Sequence, residues 1–388
     1  MSTWPSVDYE ESTWLSAEPG MSRNQRRRAL GVYRSTITPA IAKAPVELDP
    51  SLEEQVADAE SSIAAFDASS LRSLPFAAIL LRSESASSSQ IEQLTASARR
   101  LSLAMLGDSS SANATLIARN VRALTEATRV ESDIDLDEVL AIHQRIMEQY
   151  DPENAGALRP VQVWVGGASP VVARYVAPKP ELVPDAMSDL VHFIRRGDVS
   201  PLTHAAIAHA QFETIHPFTD GNGRTGRALV TVMLRRSGLA PHVPIPLSAG
   251  LLTNTDTYFA ALEAYRDGDP SQIITRFIDA THAALDNATR LRDDIEQARQ
   301  AILETVTRRS AALVELTDLS VAEGAFTARS LADAGIALPT AYRIIERLLA
   351  AGLLREERKL HGSQVWSVPA VFRALDAFAQ RAGRRSWQ

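Results

Sequence analysis

The run His216-Pro217-Phe218-Thr219-Asp220-Gly221-Asn222-Gly223-Arg224-Thr225-Gly226-Arg227 holds a denser set of reactive groups than any other stretch of the chain. It supplies a base, a carboxylate able to hold a metal, a permissive backbone segment and two cations. A neutral imidazole at His216 can take a proton from an attacking hydroxyl. Asp220, one turn further on, can bind Mg²⁺, which at nucleotide sites draws its other ligands from phosphate and water. In Gly221, Asn222 and Gly223 two residues can take positive φ at little cost, so successive amides can face one concavity and bind an anion. Arg224 to Arg236 is expected to be helical, adding the positive end of a helix to that concavity. Arg224 and Arg227, three apart, project from one side of its first turn, and guanidinium forks suit a polyphosphate. Phe218 is expected to be buried, fixing the loop against the core. These are the parts that move a phosphate-linked group from a nucleotide to a nucleophile.

Three other readings are weaker. Gly221 to Gly226 satisfies the dinucleotide fingerprint G-x-G-x-x-G, but that motif needs a strand before it and an acid about twenty residues after it. Here Thr203 to Ile215 is Ala-rich with helical spacing, and Pro241 to Pro246 carries no acid. A phosphate-binding loop of the Gly-Lys-Ser/Thr kind is absent. The plainest alternative is a basic loop capping a helix, with His216 satisfied in the core.

The run resembles the signature of the Fic family, His-x-Phe-x-Asp/Glu-Gly-Asn-Gly-Arg-x-x-Arg, and matches every specified position. The flanking stretches Ala206 to Ile215, and Asn254 with Tyr258 and Leu262, are similar to Fic sequence too. The resemblance implies a mainly α fold: a helical core that transfers AMP from ATP to a Ser, Thr or Tyr hydroxyl of a protein substrate, or of itself. By that resemblance His216 is the general base and Asp220 the Mg²⁺ ligand. Gly221, Asn222, Gly223 and Arg224 cradle the α- and β-phosphates, and Arg227 holds the γ-phosphate. Asn254 and Tyr258 would lie near the adenine, where a helix cap and a core aromatic are the plain alternatives.

Val161 to Val165 alternates, Gly166 to Pro170 turns the chain, and Val171 to Val176 returns, which predicts a β-hairpin. It resembles the Fic flap, whose Val163, Trp164, Val165, Gly166 and Gly167 would dock a target segment by strand addition. Ser87 to Leu94 is expected to open a helix on which Ser88 and Glu92 share a face. That segment resembles the Fic inhibitory helix, Ser/Thr-x-x-x-Glu-Gly/Asn, which implies that Glu92 pairs with Arg227 and displaces the γ-phosphate. Gln93 stands where Gly or Asn is usual.

Residues 1–45 look irregular and form an arm containing the basic cluster Arg26-Arg27-Arg28. Residues 46–130 are helical and carry the candidate brake; 131–282 are the Fic core; 283–317 form a connecting helix, about Ala283 to Glu315. Residues 318–388 resemble a winged helix-turn-helix domain, with a wing around His361-Gly362 and Thr340, Arg343 and Arg347 facing outward. The formal charge of −7 gives no overall attraction to nucleic acid, and Glu346, Glu356 and Glu357 dilute the local arginines. Protein docking or homodimerisation is therefore the expected use of this domain rather than DNA binding.

The 388 residues leave room for two or three domains, and zero Cys excludes disulfides and thiol chemistry. No apolar run is long enough to cross a bilayer, and acids occupy the place of a secretory leader, so a cytoplasmic location is expected. The competing functions are another nucleotidyl or phosphoryl transfer, AMP removal by the same site, and a DNA-binding regulator whose Fic domain senses nucleotide.

Overall fold

The computed structural model describes residues 4–15, 29–70, 76–129, 133–305 and 310–383; the Arg26-Arg27-Arg28 cluster lies outside them. The chain is mostly helical and gathers into two compact units, each built from discontinuous pieces.

The first unit comprises Met1–Asp58, Ala127–Leu234 and Asp256–Ile278. Its axis is the helix Pro201–Ile215, buried on every side from Leu202 onward. A helix apolar all round belongs inside a core, and Ala205, Ala206, Ala208 and Ala210 let its neighbours approach closely. Around it stand Leu136–Met147, capped by the Asp135 side chain on the Glu138 N–H, and Val183–Ile194, Asn222–Arg236 and Thr255–Arg266. Gln211 fastens the axis to the N-terminal segment: its amide donates to Pro39 O at 2.9 Å and its carbonyl accepts from Tyr265 Oη at 2.9 Å.

Residues expected to be irregular instead form an antiparallel hairpin, β1 (Asp8–Trp14) with β2 (Gly31–Ile37), in register from Asp8↔Ile37 to Trp14↔Gly31. The face of β1 that is partly buried carries Glu10, Ser12 and Trp14, so apolar alternation gave no signal for it. The expected hairpin is present but short: β3 (Trp164–Val165) pairs with β4 (Tyr175–Val176). Its turn contains Gly166 and Gly167 at φ +72° and +76°, and a Cβ on Gly167 would sit 2.5 Å from Val172 O. Below the ladder the Gln162 amide, rather than a main-chain donor, takes Ala177 O at 2.6 Å. The Trp14 indole packs edge-on against Trp164 at 5.3 Å, and Thr36 Oγ1 donates to Val176 O at 2.8 Å. The N-terminal hairpin thus braces the β3–β4 hairpin.

The second unit comprises Ala59–Glu126, Arg235–Thr255 and Asp279–Gln388. The helix Phe76–Ile91 packs on Leu247–Leu252, and its buried Glu84 accepts the Ser248 N–H at 2.9 Å. The long helix begins at Ser271, earlier than expected, because the Asp269 side chain takes the Ser271 N–H at 3.0 Å and Pro270 presets the first turn; it ends at Leu303. A separate helix, Ala311–Glu323, starts with Ser310 capping Leu313.

Near the C-terminus a three-stranded antiparallel sheet has the order β5-β7-β6, where β5 is Ala325–Thr327, β6 Arg355–Leu360 and β7 Ser363–Ser367. His361 and Gly362, at φ +49° and +79°, join β6 to β7; two positive-φ residues make the tight turn whose twist suits a hairpin. The helices Ala328–Asp333, Leu338–Ala350 and Pro369–Arg381 complete this part. Arg343 and Arg347 are exposed on Leu338–Ala350 and Thr340 is half-buried.

Candidate active site

His216 caps the C-terminus of the axial helix in the left-handed conformation, φ 51° and ψ 61°, with its N–H returning to Phe212 O at 2.9 Å. Left-handed geometry in a residue with a Cβ costs about 1–2 kcal/mol, so something else must hold it there. Arg159 does. This guanidinium, 2% exposed, donates from Nε to His216 O at 2.8 Å and from Nη2 to Pro178 O at 2.5 Å. The side chain of His216 is 19% exposed, and its Nδ1 stands 3.8 Å from Glu213 Oε2. Burial holds its pKa down to about 4; Arg266 and Arg159 push the same way, while the Glu213 backbone and Asp220 oppose them. At neutral pH the ring is therefore uncharged and able to accept a proton.

The loop beyond His216 is fixed from inside. Phe218 is fully buried, as expected, and lies flat against His143, with centroids 3.6 Å apart. His143 Nδ1 accepts the Gly156 N–H at 3.0 Å, so its Nε2 carries the proton and donates to Asp220 O at 3.0 Å. Asn222 turns its side chain back onto the loop, taking the Phe218 N–H and giving a hydrogen bond to Phe218 O, each at 2.9 Å. The loop backbone between base and carboxylate is thus stapled at Phe218 and Asp220.

The anion concavity differs from expectation in one detail. Gly221 alone of its three residues has positive φ, +76°, and the helix begins already at Asn222. A Cβ on Gly221 would lie 2.9 Å from Met147 Sδ. Helical φ at Asn222 and Gly223 turns their amides into the first free donors of a helix N-terminus, which is itself an anion site. Arg224 and Arg227 are buried on the first turn, and Arg224 Nη2 lies 3.5 Å from Asp220 Oδ1. Gly226 permits this helix to meet the axial one: a Cβ there would stand 2.9 Å from Phe212 and 3.3 Å from Glu213 Oε1.

The Asp220 side chain is 51% exposed, and its Oδ1 accepts the Gly221 N–H at 2.6 Å. Among the described residues no group of three or more His, Cys, Asp or Glu is gathered to hold a metal unaided. An exposed carboxylate beside an anion site suits a cation that arrives with phosphate and water as its other ligands.

The first unit therefore brings together His216, Asp220, Gly221, Asn222, Gly223, Arg224 and Arg227. Tyr258 lies in the core, 1% exposed, with its hydroxyl 2.7 Å from His209 Nε2. Asn254, assigned to the second unit, is exposed in the turn before Thr255–Arg266 rather than on the helix with Tyr258. Ser88 is buried on Phe76–Ile91, and Glu92 comes just after that helix ends. The segment closes a helix, where the sequence led us to expect an opening. Gln93 N–H reaches Gln90 O at 2.8 Å and Leu94 N–H reaches Ser89 O at 3.0 Å, with Gln93 at φ +65°. This is the paired C-terminal closure in which Gly or Asn is common, so the Gly/Asn place after the glutamate is a left-handed cap. Arg159 and His143 were missed by sequence reading; an Arg ahead of a hairpin and a His on an amphipathic helix carry no local signature.

Residues 133–234 match the family model described as the Fic/DOC family. This chain carries a Fic domain. It is similar to "Protein adenylyltransferase fic-1" of Caenorhabditis elegans, 34% identical over 146 residues, which is 37% of this chain and 26% of that protein. It is also similar to "Protein adenylyltransferase Fic" of Drosophila grimshawi, 31% identical over 176 residues, 45% of this chain and 34% of that one. The chain thus spans only about a quarter to a third of the length of these relatives. A solved Fic family protein from Desulfovibrio desulfuricans G20 superposes with a TM-score of 0.54 and 22% identity, covering 84% of this chain and 97% of that one. At that identity the likeness speaks for the fold alone.

Proposed function

We propose that this chain transfers AMP from ATP to a Ser, Thr or Tyr hydroxyl of a protein. The observation that carries the reading is an uncharged, partly exposed His216 on the same stapled loop as an exposed carboxylate and an Arg-flanked helix N-terminus. His216 takes the proton of the attacking hydroxyl. Its oxygen bonds to the α-phosphorus as the bond to pyrophosphate breaks. The amides of Gly221, Asn222 and Gly223, with Arg224, bind the α- and β-phosphates, and Arg227 binds the γ-phosphate. Asp220 would hold Mg²⁺, which when bound neutralises charge on the phosphates. Positioning and charge then supply most of the acceleration.

The flap residues Val163 to Gly167 are proposed to register the target strand. Glu92 is proposed as a brake that competes with the γ-phosphate for Arg227. The C-terminal sheet and helices are proposed as a winged helix-turn-helix used for protein docking or dimerisation. A DNA-binding use through Thr340, Arg343 and Arg347 would show as duplex affinity that falls steeply with salt and is lost on replacing the two arginines.

The test is the intact mass of the purified chain after incubation with ATP and Mg²⁺. One added AMP, increased in Glu92→Gly and lost in His216→Ala, is the expected result; losing the base should slow transfer by about 10²–10⁴. Transfer of the γ-phosphate instead, or undiminished AMP addition by His216→Ala, would overturn the reading.

A further inference from the structure

Arg159 has an unusual set of partners for a buried cation. Nε donates to His216 O at 2.8 Å, Nη1 to Val161 O at 2.9 Å, and Nη2 to Pro178 O at 2.5 Å and Ile215 O at 3.5 Å. The main-chain N–H of Arg159 reaches Pro217 O at 2.9 Å. All of these acceptors are main-chain carbonyls. Ile215 and His216 are the end of the axial helix, whose dipole favours a cation. Val161 and Pro178 are the two roots of the hairpin β3–β4. One planar fork thus joins both roots of the flap to the residue that carries the base. A lysine, with three donors around one point, cannot span these directions.

We infer that Arg159 is a positioning residue that holds His216 in its left-handed pose and ties it to the flap, so that a docked target and the base are registered as one body. The inference rests on the proposed AMP transfer for its catalytic meaning, but not for its geometry. Arg159 is held down to about 10 by burial, with Tyr175 and Glu181 opposing, and so stays charged at neutral pH. Its charge bears on His216 together with those of Arg266, Glu213 and Asp220, the charged groups around that ring.

Two variants separate fork from charge. Arg159→Lys keeps the cation and loses the fork; Arg159→Met loses both. The first measurement is the titration of the His216 imidazole by NMR in labelled protein, assigned with His216→Gln. It needs no turnover. Arg159→Lys should shift the His216 resonances at neutral pH while leaving the titration midpoint near that of the wild type, and Arg159→Met should move the midpoint upward. The second is the rate of AMP addition against the ATP dissociation constant. Arg159→Lys should lose about 10–100-fold in rate, the usual consequence of a displaced catalytic group, with ATP affinity within about 2-fold.

Unchanged His216 resonances in Arg159→Lys would overturn the inference. So would a wild-type rate, or a loss of ATP affinity that matches the loss of rate. An Arg159→Lys chain that does not fold would overturn it as well, since Arg159 would then support the whole unit rather than one residue. If Arg159→Met does not fold, Arg159→Lys decides alone. Absence of AMP transfer by the wild type would instead count against the proposed function, and the NMR result would still judge Arg159.

Discussion

Replacing Gln93 by glycine should stabilise the second unit. Gln93 is exposed and sits at φ +65° in a helix closure whose two hydrogen bonds, 2.8 and 3.0 Å, are already made. Its side chain therefore contributes little, while its Cβ carries the left-handed penalty of about 1–2 kcal/mol. Glycine removes that penalty but adds backbone freedom to the unfolded chain, costing about 0.5–1 kcal/mol. The net gain should be roughly 0.5–1 kcal/mol. With a urea slope of about 2–3 kcal/mol/M, the unfolding midpoint should rise by about 0.3 M. Gln93→Ala is the control: alanine keeps the Cβ, so its midpoint should stay at the wild-type value. Equal midpoints for the Gly and Ala variants would refute the reasoning, because the left-handed cap would then carry no measurable cost. The same change firms the anchor of Glu92, so the proposed brake should tighten and AMP addition should fall; that arm is read separately from stability.

The remaining predictions concern acid stability and helix packing. His143, His209 and His216 are held down to about 4, 3 and 4, chiefly by burial. Each depressed imidazole is protonated in the unfolded chain before the folded one. Stability is therefore complete above about pH 6.5 and is lost as pH falls toward about 4, at up to about 1.4 kcal/mol per pH unit for each ring. Urea unfolding of the first unit, followed at about pH 6.5 and about pH 5, checks this; equal stability at the two would sink it. Gly250→Ala, ordinarily favourable in a helix by about 1 kcal/mol, should instead cost about 3 kcal/mol or more. The new Cβ would stand 1.9 Å from Ala280 O. A melting temperature at or above the wild-type value would show that the two helices can part.

Much of the site was legible because its residues are neighbours in sequence. Base, carboxylate, glycines and arginines fall within twelve positions, and their order alone sets the base one turn from the carboxylate at the mouth of a helix. The Ala-rich stretch before them announced a helix, and the alternation around Trp164 announced the hairpin. What failed to show was whatever depended on partners far along the chain. The strand β1 has a polar inner face, and only pairing with β2 and the bracing of Trp14 on Trp164 make it a strand. The long helix started early because Asp269 and Pro270 acted as a start signal upstream of the charged pattern.

The sequence by itself determined the chemistry: which groups can move a proton, bind phosphate and hold a cation, since those properties belong to residue types and short spacings. Only the tertiary structure decided how those groups are held. Neutrality of His216 comes from burial among Arg159 and Arg266, its pose comes from carbonyls gathered by one distant guanidinium, and the main-chain carbonyl of Asp220 is held by His143, 77 positions earlier. Desolvation and hydrogen-bond geometry depend on what surrounds a group in space, and no local pattern of residues records that.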